Sequence, residues 1–74
     1  MKKWKKIQNG VELEGIIDGF PITVIVENIG KYFIIIIQGE ELICEGYDKM
    51  VLSLKTLFLN NIYIPSIETF FDET

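Results

Sequence analysis

Histidine is absent from the 74 residues, cysteine occurs once and proline twice. Without histidine the chain lacks the commonest general base and metal ligand near neutral pH. A lone Cys44 cannot close an internal disulfide, and inside a strand it reads as a small core residue rather than a nucleophile. The longest apolar run, Tyr32 to Ile37, is six residues, far short of the roughly 18 that a membrane-spanning helix needs. "MKKWKKIQNG" starts basic but has no apolar segment behind it, so no secretion signal is read. The expected setting is a reducing bacterial cytoplasm, with no membrane partner.

Other chemistry is equally sparse. The glycines are scattered turn residues, and none forms a phosphate-cradling loop opening a helix. Glu12 and Glu14 share one strand face about 7 Å apart. Neither they nor Glu40-Glu41 carry the loop oxygens or spacing of a calcium site. The expectation is therefore a non-enzyme without catalytic, metal-binding or cofactor-binding residues.

Charge is present but segregated. The net charge is -4, and four of the seven basic residues are Lys2, Lys3, Lys5 and Lys6. From Ile7 onward three lysines face all eleven acids, leaving eight excess negative charges. Such a body repels nucleic-acid phosphates, which argues against direct nucleic-acid binding. The lysines around Trp4 read as a solvated terminus, with a short nucleic-acid arm as the alternative.

A hydrophobic fraction of 49% and a charged fraction of 24% suit a single folded domain of marginal core size. Turn signals at Asn9-Gly10, Asp18-Gly19, Asn28 to Gly30 and Gln38-Gly39 cut the first two thirds into strand-length pieces. Val11, Leu13, Gly15 and Ile17 alternate with Glu12, Glu14, Ile16 and Asp18. Ile22, Val24 and Val26 alternate with Thr23, Ile25 and Glu27, and Leu42 and Cys44 with Glu41, Ile43 and Glu45. "YFIIII" is apolar on both sides and reads as a central strand. After Gly46 the period lengthens. Tyr47, Met50, Val51, Leu54, Leu57 and Phe58 form one helical stripe that starts near Asp48 and ends at Asn60-Asn61, with Leu52 and Leu59 off it. The tail places Ile67, Phe70 and Phe71 on one face of a short turn capped by Ser66.

The fold expected is α+β: a four-stranded antiparallel meander with one amphipathic helix on one face and a short C-terminal helix or arm. The segments are a basic start over 1–9, strands over 10–46, the helix over 47–61 and the arm over 62–74. One helix covers one sheet face. The other carries Ile16, Ile25, Ile43 and one set from the central strand, bordered by Glu12, Glu14, Asp18, Glu27, Glu41 and Glu45. A stripe of this kind calls for a cover: the tail, the Trp4 segment or a second protein.

The segment "ITVIVENIGKYFIIIIQGEELICEGYDKMVLSLKTLF", an apolar hairpin with an Asn-x-Gly-Lys-Tyr turn followed by a short strand and an amphipathic helix, covers about half of the chain. It resembles the small acidic phage-encoded inhibitors of the anti-CRISPR type. The resemblance implies a stoichiometric blocker of a bacterial defence protein that occupies a basic ligand or nucleic-acid site. The same order of elements also resembles HicB-like antitoxins, and a self-associating homodimeric module is the reading from another class. The residues expected to meet a protein partner are Glu12, Glu14, Glu27, Glu41, Glu45, Glu68, Phe70, Phe71, Asp72 and Glu73.

Overall fold

A computed structural model describes residues 4–59 and 62–70. Five antiparallel strands lie in chain order in one sheet: β1 (Lys5–Ile7), β2 (Gly10–Ile17), β3 (Phe20–Ile29), β4 (Tyr32–Ile37) and β5 (Glu40–Glu45). The sheet thus has one strand more than the four expected. The addition comes from the basic start, where Lys5, Lys6 and Ile7 pair with Glu12, Val11 and Gly10. Three residues hold too little alternation to announce a strand, so only the pairing reveals it.

Tight turns set the register. Asp18-Gly19 and Gln38-Gly39 have positive φ at both positions, 52° and 82° in the first and 52° and 84° in the second. That backbone matches the twist of the strands it joins, and it tolerates glycine readily. Pro21 sits opposite Ile16 in β3. Its nitrogen faces the β4 side, beyond the last β3–β4 pair at Val24 and Ile37, so no ladder bond is lost.

One sheet face holds the core. Val11, Leu13, Val24, Val26, Phe33, Ile35 and Cys44 point into it and are buried. Leu42 belongs to the same face but stays 45% exposed at the β5 edge. Helix α1 (Tyr47–Phe58) lies across β4 and β5 and buries Met50 and Leu54 completely. Tyr47, Val51 and Phe58 pack beside them, as the stripe requires, while Leu57 is half exposed. Gly46 occupies the N-cap with no side-chain cap bond, and Leu59 ends the helix in a left-handed conformation, its N–H donating to the Lys55 carbonyl. The helix therefore stops before Asn60-Asn61, which lie outside the described residues.

The tail covers the other half of this same face. Ile62 and Ile64 pack on the core, and the 3-10 turn Ile67–Phe70 lies against β2. Thr69 donates its N–H to the Ser66 carbonyl at 3.1 Å, and the two hydroxyls are also 3.1 Å apart. Phe70 is buried edge-on to Phe33, with ring centroids 5.1 Å apart at 86°, and Tyr47 meets Phe33 at 6.0 Å and 73°. Trp4 packs on the core too, and its indole N–H donates to the Tyr63 carbonyl. Neither the described part of the tail nor Trp4 covers the second face, although either was a possible cover. A 12-residue helix spans only two strands, so the tail is needed on the side where the core already is.

The Tyr47 hydroxyl ties tail to helix, donating to the Pro65 carbonyl at 2.6 Å. Burial raises its pKa above the ordinary 10.0, with Glu68, Asp48 and Tyr63 adding to the effect. Above that ordinary value the unfolded chain deprotonates first, so this contribution to stability is full below pH 10 and is lost as pH rises through the raised value. Tyr47→Phe is expected to cost about 1–2 kcal/mol at neutral pH, because the Pro65 carbonyl loses its donor. It should also flatten the alkaline decline in stability, which urea unfolding on both sides of pH 10 measures.

Candidate interaction face

The sheet register aligns the second face in rows. Glu12, Ile25, Ile36 and Glu41 run across β2 to β5, with Lys5 beyond Glu12. The next row is Ile7, Gly10, Glu27, Ile34 and Ile43, followed by Ile29, Tyr32 and Glu45. On the other side lie Glu14 beside Thr23, and Ile16 beside Pro21. Among the described residues no helix or tail segment packs on these rows.

The apolar centre is therefore Ile25, Ile34 and Ile36, which shield one another to half-buried, and Ile43, which is 63% exposed. Ile16 at 74% and Ile29 at 55% extend it toward opposite ends. Glu14, Glu41 and Glu45 are exposed, whereas Glu12 and Glu27 are half-buried by their neighbours. The one ion pair among the described residues, Lys31 to Glu45 at 3.4 Å, is exposed on both sides. Pairs of this kind contribute about 0–1 kcal/mol, so Glu45 is only loosely held.

Five of the ten residues expected to meet a partner thus share one surface: Glu12, Glu14, Glu27, Glu41 and Glu45. Of the rest, Phe70 and Glu68 do not join it. Phe70 is 5% exposed and packed on Phe33, which makes it a core residue rather than a free anchor. Glu68 is exposed on the tail, near Tyr47 on the helix side. Ile67, expected on the buried face of the tail, is 41% exposed. Phe71, Asp72 and Glu73 lie outside the described residues. Sequence reasoning missed Lys5 and Ile7, because they join this face only through β1.

Among the described residues, groups for bond chemistry do not converge. No three His, Cys, Asp or Glu side chains gather among the described residues. Cys44 is buried with its thiol 3.6 Å from the Ser53 hydroxyl. An open groove of about 1060 Å³ separates the β2–β3 hairpin from the end of α1 and is lined mainly by apolar residues, among them Leu13, Ile22, Val24, Leu57 and Phe58. Glu14 and Asp18 also line it, and the described lining residues include no histidine, thiol or amine.

No family model, curated protein or solved structure matches the chain.

Proposed function

We propose that this chain is a protein-binding module without catalysis of its own, an inhibitor that covers a partner's site with the acid-bordered sheet face. The observation that carries this reading is the five-stranded face opposite the helix, uncovered among the described residues and apolar at its centre. Apolar surface of this extent gains by leaving water. The carboxylates around it favour a partner whose own apolar patch is rimmed by lysine and arginine, and they steer its approach. A bacterial defence protein with a basic ligand site, the class implied by the sequence resemblance, presents that chemistry. Two copies meeting face to face would instead bring Glu12, Glu14, Glu27 and Glu41 near like charges, which opposes self-association.

The test is capture from bacterial lysate followed by kinetics on the captured protein. Neutralising Glu12, Glu14 and Glu27 to glutamine is expected to slow association and weaken its salt dependence, while Ile25→Ser should speed dissociation. Capture indifferent to both changes, or a wild-type dimer that Ile25→Ser converts to monomer, would overturn the proposal.

A further inference from the structure

The ladder between β4 and β5 fixes which backbone groups of β5 are spoken for. Gly46 donates its N–H to the Lys31 carbonyl at 3.0 Å, in line with the β4–β5 register. In an antiparallel ladder, hydrogen-bonded pairs alternate with non-bonded ones. The bonded pairs are therefore Phe33 with Cys44, Ile35 with Leu42 and Ile37 with Glu40. It follows that Glu41, Ile43 and Glu45 aim their N–H and C=O groups away from the sheet. Strand β5 is terminal in the strand order, and among the described residues nothing pairs with that edge. The strand is six residues long, without proline, and paired with β4 throughout. Leu42, on the helix side of β5, is 45% exposed, so the helix does not roof the edge either.

We propose that the β5 edge accepts an extended segment of a partner protein as a sixth, antiparallel strand, with lysine or arginine opposite Glu41 and Glu45 and an apolar residue opposite Ile43. This rests on reading the chain as a protein-binding module and names what the partner must contribute. Backbone groups at Glu41, Ile43 and Glu45 supply the pairing, and their side chains, all on the second face, supply the selection. Opposite charges directly across a strand pair stabilise it and like charges destabilise it. A second copy is disfavoured on that ground. The two-fold antiparallel register that sets Ile43 against itself also sets Glu41 against Glu45 twice. The carboxylates thus guard the edge against self-pairing while leaving it open to a basic strand.

The probe is a capped synthetic peptide with lysine, valine and lysine at alternate positions and threonines between, titrated into the isotope-labelled full chain. Expected are amide shifts and slowed hydrogen exchange at Glu41, Ile43 and Glu45. A peptide with glutamates in place of the lysines should bind about tenfold more weakly. Methylating the peptide nitrogens at the lysine and valine positions should abolish binding, and methylating those of the threonines should not. Ile43→Pro removes an outward donor without breaking a bond to β4, and it should abolish binding with the circular dichroism retained. Shifts confined to Ile25, Ile34 and Ile36, equal binding of the two peptides, or indifference to which nitrogens are methylated would overturn the proposal. So would a dimer already protected at these amides without peptide. Neutralising Glu12, Glu14 and Glu27 leaves the edge untouched, so failure of the face reading and failure of the edge reading give different results.

Discussion

Phe70→Ala is expected to lower the urea midpoint by roughly a third or more, up to leaving the chain largely unfolded at room temperature. Phe70 is 5% exposed, stacked edge-on against Phe33, and it closes the β2 side of the core that the helix does not reach. Truncating a buried phenylalanine costs about 3–5 kcal/mol, from lost transfer energy and the cavity left behind. A chain of 74 residues has only about 4–11 kcal/mol to lose. Phe70→Leu keeps most of the volume and should cost clearly less. The single tryptophan, Trp4, donates to the Tyr63 carbonyl of the tail, so its fluorescence reports tail release alongside circular dichroism. A midpoint unchanged by Phe70→Ala would show that the tail is not part of the core.

Gly10→Ala should be the most damaging alanine substitution at any glycine, and Gly15→Ala on the same strand should be neutral or stabilising. At Gly10 an added Cβ would overlap the Val26 carbonyl oxygen and come within 2.9 Å of the Glu27 Cα. Those are backbone atoms of the neighbouring strand, which cannot swing aside as a side-chain tip can. Relief requires β2 and β3 to part where Val11 and Val26, both fully buried, hold the core. The cost is about 3 kcal/mol, at the upper end of ordinary overpacking. Gly15 has nothing within 4 Å of an added Cβ, so alanine there mainly restricts the unfolded chain, a gain of about 0.4–1 kcal/mol. Paired thermal melts of the two variants decide the matter, since an effect of glycine flexibility alone would move both the same way.

Much of the second face was legible in the order of residues. Alternation in β2, β3 and β5 assigned Ile25 and Ile43 to the side away from the helix and Val11, Val24, Val26 and Cys44 to the other, because a strand's side chains alternate with period two. The turn residues then fixed which strands are neighbours. The acid border followed from the same alternation, as Glu12 and Glu14 in β2, Glu27 in β3, and Glu41 and Glu45 in β5 each fall on the outward side of their own strand. The tail was read less well. Phe70 and Ile67 carry the same apolar signal, yet Phe70 is buried and Ile67 is 41% exposed, since a four-residue turn is too short for periodicity to choose a face.

By itself the sequence determined the period-two strands from Gly10 onward, their hairpin turns, the helix from Tyr47 and the sorting of apolar and acidic side chains between two sheet faces. These are local properties, set by backbone sterics and by which positions must leave water. Only the tertiary structure decided that Lys5–Ile7 adds a fifth strand, that Trp4 and the described part of the tail crowd onto the helix side, and that among the described residues nothing pairs with the β5 edge. The placement of Trp4 and the tail depends on contacts between segments far apart in the chain, whereas β1 pairs with the start of β2 just after it. Trp4 and Tyr63, Phe33 and Phe70, and Tyr47 and Pro65 are brought together by the fold rather than by nearness in sequence. The pattern of residues shows what must be buried; the partner that buries it emerges from the fold.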